Sequence, residues 1–147
     1  MALMQGYYTP RHPEKYVGNV KKIRYMSSWE LQTHRFFDNN PNILRWASEG
    51  IAVPYLNPID QQVHKYLPDY WISYKNKNNI IKYELIEVKP EKETLVPKAA
   101  GKKRQHYLFE ALTYVRNKAK WEAAQAFCNK HGLTFRIITE KQLFGHK

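Results

Sequence analysis

A chain of 147 residues, 43% apolar and 14% aromatic, has enough material for one packed domain and is not a disordered tail. Lys and Arg number 24 against 13 acids, and a formal net charge of +11 points to a polyanionic partner: DNA, RNA or an anionic membrane surface. The single cysteine, Cys128, excludes an internal disulfide and a cysteine-rich zinc site, and no apolar run is long enough to cross a bilayer.

The first six residues lack the charged and apolar regions of a signal peptide, so a reducing, cytoplasmic setting without secretion is expected. Residues 5–25 hold Gly6, Pro10, Pro13 and Gly18 among Tyr7, Tyr8, Tyr16, Arg11 and Lys15. That density of Pro and Gly predicts an irregular arm over 1–25, ahead of a folded domain over 26–147. A helix is expected from Ser27, which with Glu30 spells an S-x-x-E capping box, and Pro41 ends it. Trp29, Thr33, Phe36 and Phe37 mark its expected buried stripe.

Residues 51–55 read as an edge strand, since Pro54 cannot donate to a ladder. Two longer strands, over 64–74 and 80–88, flank the polar cluster Lys75, Asn76, Lys77, Asn78 and Asn79 and read as a hairpin. The second is apolar on both faces, as a central strand covered on each side would be. A lysine-rich loop over 90–104 follows, then two helical stretches. Leu108, Ala111, Leu112 and Val115 stripe the first, and Trp121, Ala124, Phe127 and Cys128 the second. The phase slips near Asn117, so two helices are expected. Cys128, beside Ala123, Ala124 and Phe127, reads as a small core residue. Gly132 fits a helix C-cap, and residues 134–138 form a last strand. The whole is an α/β chain in the order α-β-β-β-α-α-β, with a mixed, mostly antiparallel sheet flanked by helices.

The chemistry gathers on the hairpin. Asp69 follows Pro68 in the first strand, and Glu87 and Lys89 lie two apart in the second, hence on one face. A turn centred near Asn78 sets Asp69 opposite Glu87, so two carboxylates and an ammonium would meet at one end of a sheet. Mg²⁺, with Mn²⁺ able to substitute, is commonly held by one or two carboxylates together with substrate phosphate. Lys89 would then stand beside an attacking water, and Glu30 could add a carboxylate for a metal-bound water or a second ion. The same residues also fit quieter roles: Glu30 a helix cap, Glu87 and Lys89 a salt bridge on a solvated face, Asp69 the start of a turn. Lys98, Lys102, Lys103 and Arg104 form the densest basic run, suited to DNA phosphates. His64 could touch phosphate, but a structural role is the more ordinary one. The histidines show no metal-ligand spacing, and neither G-x-S-x-G nor a P-loop occurs.

Ser27-Ser28-Trp29-Glu30, Pro68-Asp69-Tyr70-Trp71-Ile72 and Glu87-Val88-Lys89-Pro90 together resemble the head completion nucleases of T-even-like tailed phages, which are PD-(D/E)xK enzymes. So do Gly6-Tyr7-Tyr8-Thr9-Pro10, Tyr16-Val17-Gly18, Lys120-Trp121-Glu122-Ala123-Ala124 and Phe135-Arg136-Ile137-Ile138-Thr139-Glu140. The central signals are also similar to the endonuclease subunit of Tn7-type transposases, although that family often carries Gln where Glu87 stands. The resemblance implies a restriction-endonuclease-like fold and metal-dependent cleavage of DNA. It implies Glu30, Asp69 and Glu87 as acidic ligands and Lys89 as the catalytic lysine. It further implies a task late in phage assembly, in the infected host's cytoplasm or on the virion, beside head or portal-neck proteins. The rival reading is a non-catalytic DNA-binding structural protein of the head–tail junction.

Overall fold

The computed structural model describes residues 3–144. Its centre is a four-stranded sheet in the order β3 (Ile43–Ser48), β6 (Tyr70–Lys75), β7 (Ile81–Val88), β8 (Thr134–Ile138). The first two pairings are antiparallel and the last is parallel. Strand β7 is therefore internal, as its two apolar faces required. Ile86 and Val88 pack with Phe37, Trp46, Tyr70 and Ile72 on one face, beside helix α1 (Ser28–Asn39). Leu85 packs with Ala124 and Cys128 of helix α2 (Arg104–His131) on the other. Against that second cluster lies a separate two-stranded hairpin of β4 (Val53–Asn57) and β5 (Gln62–Tyr66). A short helix α3 (Glu140–Leu143) closes the described chain. Among the described residues no helix is long and apolar enough to cross a membrane.

The ends of α1 are built as the capping logic demands. Ser27 Oγ accepts from Glu30 N at 3.1 Å, and Glu30 Oε2 accepts from Met26 N at 2.8 Å. At the other end Lys15 Nζ donates to the carbonyls of Phe37, Asp38 and Asn40 at 2.8, 2.8 and 2.9 Å, satisfying acceptors the helix leaves orphaned. Buried Asp38 accepts from Tyr8 Oη, Arg11 N and His12 N. The segment expected to be an irregular arm is thus clamped to α1. It also contains β1 (Leu3–Tyr7), which pairs with β2 (Arg24–Ser27), so it is irregular only between these strands.

Several expectations need correction. The α-β-β-β-α-α-β order gives way to five strands between α1 and α2, then one helix and β8. Strand β3 was missed because a register shift between Ile43 and Arg45 breaks its alternation. The strand expected over 64–74 is two: β5 and β6 part around Pro68 and join different sheets. On α1, Phe36 is exposed, while His34 and Asp38 are buried through hydrogen bonds. The two expected helices are one. The slip at Asn117 costs nothing, because only Asn117, Ala124 and Cys128 are buried along α2, and these share one helical face. Leu108, Leu112 and Val115 stay exposed, and the N-terminal half of α2 faces the loop of residues 92–102 across a groove of about 710 Å³. Gly132 is the left-handed C-cap expected, with φ 73°.

The Asp38 clamp gives a direct test. Asp38→Ala leaves two backbone N–H groups and a phenol without their acceptor, and each buried orphan costs about 1–3 kcal/mol. Thermal denaturation should show a loss of about 3 kcal/mol or more, roughly 6–12 °C at this size. A drop of under about 2 °C would mean that the segment is not held by this carboxylate.

Candidate active site

The register of β6 and β7 builds the site. Tyr70 pairs with Ile86, and the pairing continues rung by rung to Lys75 with Ile81. The turn is closed by Asn76 Oδ1, which accepts from Asn78 N and Ile80 N, and by Asn79 in the left-handed region at φ 64°. Continued one rung outward, that register sets Asp69 against Glu87. Asp69 Oδ2 accepts from Val88 N at 2.7 Å. Glu87 is 6% exposed and accepts from the Tyr66 hydroxyl at 2.6 Å, while Lys89 Nζ lies 3.6 Å from its other oxygen. Asp69, Glu87 and Lys89 are therefore brought together on the α2 face.

Glu30 stands apart. Its charge is felt by Asp69, yet its carboxylate is engaged at Met26 N. Among the described residues no group of three His, Cys, Asp or Glu side chains is arranged to hold a metal ion. Tyr70 ties β6 to α1, its hydroxyl lying 3.1 Å from Glu30 O and 2.6 Å from His34 Nδ1. Burial lowers the His34 pKa to about 4, so this imidazole is neutral and structural.

The electrostatics are those of two acids short of a counter-charge. Burial first, and then the charge of Glu87, push Asp69 well above the usual carboxylate range, against the pull of Val88 N–H and Lys89. Burial also raises Glu87, while the Tyr66 hydroxyl, Lys89 and Lys120 pull it down. The ammonium of Lys89, 3.6 Å from Glu87, cannot by itself neutralise two desolvated carboxylates.

Two neighbours were not picked out as site residues from the sequence. Tyr66, on β5, holds Glu87, and Lys120, on α2, lies over the Tyr66 ring. Neither sits in the P-D or E-x-K segments, and only the packing of β5 and α2 on the sheet brings them in. His64 is not on the Asp69 strand. It lies on β5, half-exposed, with Nε2 2.6 Å from Asp60 Oδ2. Lys98, Lys102, Lys103 and Arg104 are exposed around the start of α2, and Lys102 is paired with Glu110 at 2.8 Å.

A family model described as the TnsA-like endonuclease N-terminal domain matches residues 40–140, more than half of the chain and all of the site except Glu30. The chain belongs to the TnsA-like endonuclease family. The head completion nuclease of Enterobacteria phage T4 is 37% identical over 144 residues, covering 94% of this chain and 92% of the relative. No solved structure matches the chain. The candidate acid pair, with Glu87 buried and Asp69 partly exposed, thus lies within the matched endonuclease domain.

The raised carboxyls make a pH prediction. Each folded pKa lies above its unfolded value, so their contribution to stability is complete below the usual carboxylate range and is lost as pH rises through the raised values. Asp69→Asn keeps an oxygen for Val88 N–H and removes one charge. In EDTA the variant should melt above wild type near about pH 8, with the gap closing towards about pH 4. Each kcal/mol relieved is worth about 2–4 °C at this size. A wild-type protein that melts at or above the variant near about pH 8 would contradict a repelling acid pair.

Proposed function

We propose that this protein is a divalent-metal-dependent DNA nuclease, with a restriction-endonuclease-like core over 26–147, that acts in phage head completion. The observation that carries the reading is the meeting of Asp69, Glu87 and Lys89 at one end of paired strands, with both acids desolvated. Membership of an endonuclease family and the likeness to a phage head completion nuclease support the biological setting. The reading extends to the infected host as the place of action and to head or portal-neck proteins as neighbours.

The residues fit a divalent cation, since oxygen donors of surplus negative charge in a desolvated pocket suit Mg²⁺ or Mn²⁺, and two carboxylates suffice when substrate phosphate completes the shell. Asp69 and Glu87 would hold the ion, and Glu30 would join them by releasing Met26 N. When bound, such an ion supplies charge neutralisation and water activation for phosphodiester hydrolysis. The chain does the rest. Val88 N–H and the Tyr66 hydroxyl fix the two carboxylates, so neither must reorient as charge develops. Lys89 orients the attacking water and steadies the negative charge that grows on the phosphate. The exposed Lys98, Lys103 and Arg104 would meet the DNA backbone, whereas His64 is engaged by Asp60.

Nicking of supercoiled plasmid with Mg²⁺ or EDTA tests this. Cleavage should need the metal and fall at least about 100-fold in Asp69→Ala and in Lys89→Ala, with DNA binding retained in both. Absence of cleavage by folded wild-type protein on duplex, single-stranded and branched DNA would favour the structural, non-catalytic reading instead.

A further inference from the structure

Lys120 is half-buried on α2, with Nζ 5.8 Å from the ring centroid of Tyr66 and 5.9 Å from that of Tyr55. Tyr66 is the residue whose hydroxyl holds Glu87. The ammonium therefore stands over the acid pair from the helix side, where Lys89 approaches from the strand side. The charges of Glu87, Lys89 and Arg116 all act on it, and Arg116 lies one turn earlier on the same helix.

A second cation there needs a reason. Glu87 already has the Tyr66 hydroxyl and Lys89, and among the described residues Lys120 forms no salt bridge. Burial and the repulsion of Lys89 and Arg116 both work against its charge. The Tyr55 and Tyr66 rings beneath the ammonium offset part of that cost. Such a cation, fixed, desolvated and without an acid of its own, is arranged to receive an anion.

We propose that Lys120 is a phosphate-binding residue of the nuclease site, gripping a DNA backbone phosphate beside the bond that is cut, with Arg116 extending the grip along α2. The inference rests on the nuclease reading and adds to it a direction. The DNA strand enters across the α2 face between β5 and α2, and does not touch only the exposed basic loop. The alternative is that Lys120 merely covers the tyrosine rings.

The test measures the affinity of wild type, Lys120→Gln, Lys120→Arg and Lys130→Gln for a short duplex against salt concentration, in EDTA so that no cleavage intervenes. Lys130 is exposed near the far end of the same helix and serves as the control. Removing one charge that neutralises a phosphate should reduce the slope of log affinity against log salt by about 0.9 in Lys120→Gln. Lys120→Arg should restore it, and Lys130→Gln should match wild type. If Lys120→Gln melts early, Lys120→Met keeps the apolar stem on the rings and replaces it. An unchanged slope in the folded neutral variant, or an equal reduction in the Gln and Arg variants, overturns the proposal. Cleavage separates the two readings. A slope effect with no wild-type cleavage in Mg²⁺ sinks the nuclease reading and leaves phosphate binding by Lys120 standing. Metal-dependent cleavage with no slope effect does the reverse.

Discussion

The antiparallel pairing of β6 with β7 forces Asp69 and Glu87 side by side at a strand end, with Glu87 buried and Asp69 partly exposed. Like charges held this close in a desolvated place are unfavourable, and neither hydrogen bonding nor Lys89 removes the conflict. Much of the surrounding structure can be understood as holding that conflict in place. Val88 N–H fixes one carboxylate and the Tyr66 hydroxyl the other, so the pair cannot relax by turning away. In the proposed reading a divalent cation, together with a substrate phosphate, would resolve that conflict.

Each face of the sheet contributes separately. On one, α1 packs Phe37 against Trp46 and Tyr70, and the Lys15 and Asp38 clamps tie residues 8–15 to its C-terminal end. This face carries Glu30 on its first turn, joined to the acid pair only through Tyr70 and through charge. On the other, the β4–β5 hairpin and the C-terminal half of α2 seal Leu85 and deliver Tyr66 and Lys120. The core that stabilises the domain and the wall of the site are thus the same contacts. A defect in the seating of α2 would reach the chemistry through Tyr66 without touching an acid.

The placement of Asp69 beside Glu87 was more legible in the sequence than the architecture. The asparagines around residue 78 announce their turn, and once its centre is known the opposition of Asp69 and Glu87 follows from counting. The Ser27 cap and the Gly132 stop were equally local. What local pattern could not carry was partnership. The 64–74 run keeps a strand-like composition through Pro68, yet its halves serve different sheets. The stripe at Leu108, Leu112 and Val115 looks like a buried face but has no sheet beneath it. Glu30 shows both sides: its spelling fits a cap and a ligand, and the cap is what the structure displays.

Calorimetric titration of Mn²⁺ into wild type and Glu87→Gln, repeated in two buffers of different ionisation enthalpy, addresses the acid pair itself. A cation that resolves the repulsion should bind wild type with release of protons, because burial holds both carboxyls above their usual range. Glu87→Gln should bind at least about tenfold more weakly, with less proton release. Absence of binding to wild type, or equal binding and proton release in the variant, would mean that Asp69 and Glu87 are paired for some purpose other than holding a metal ion.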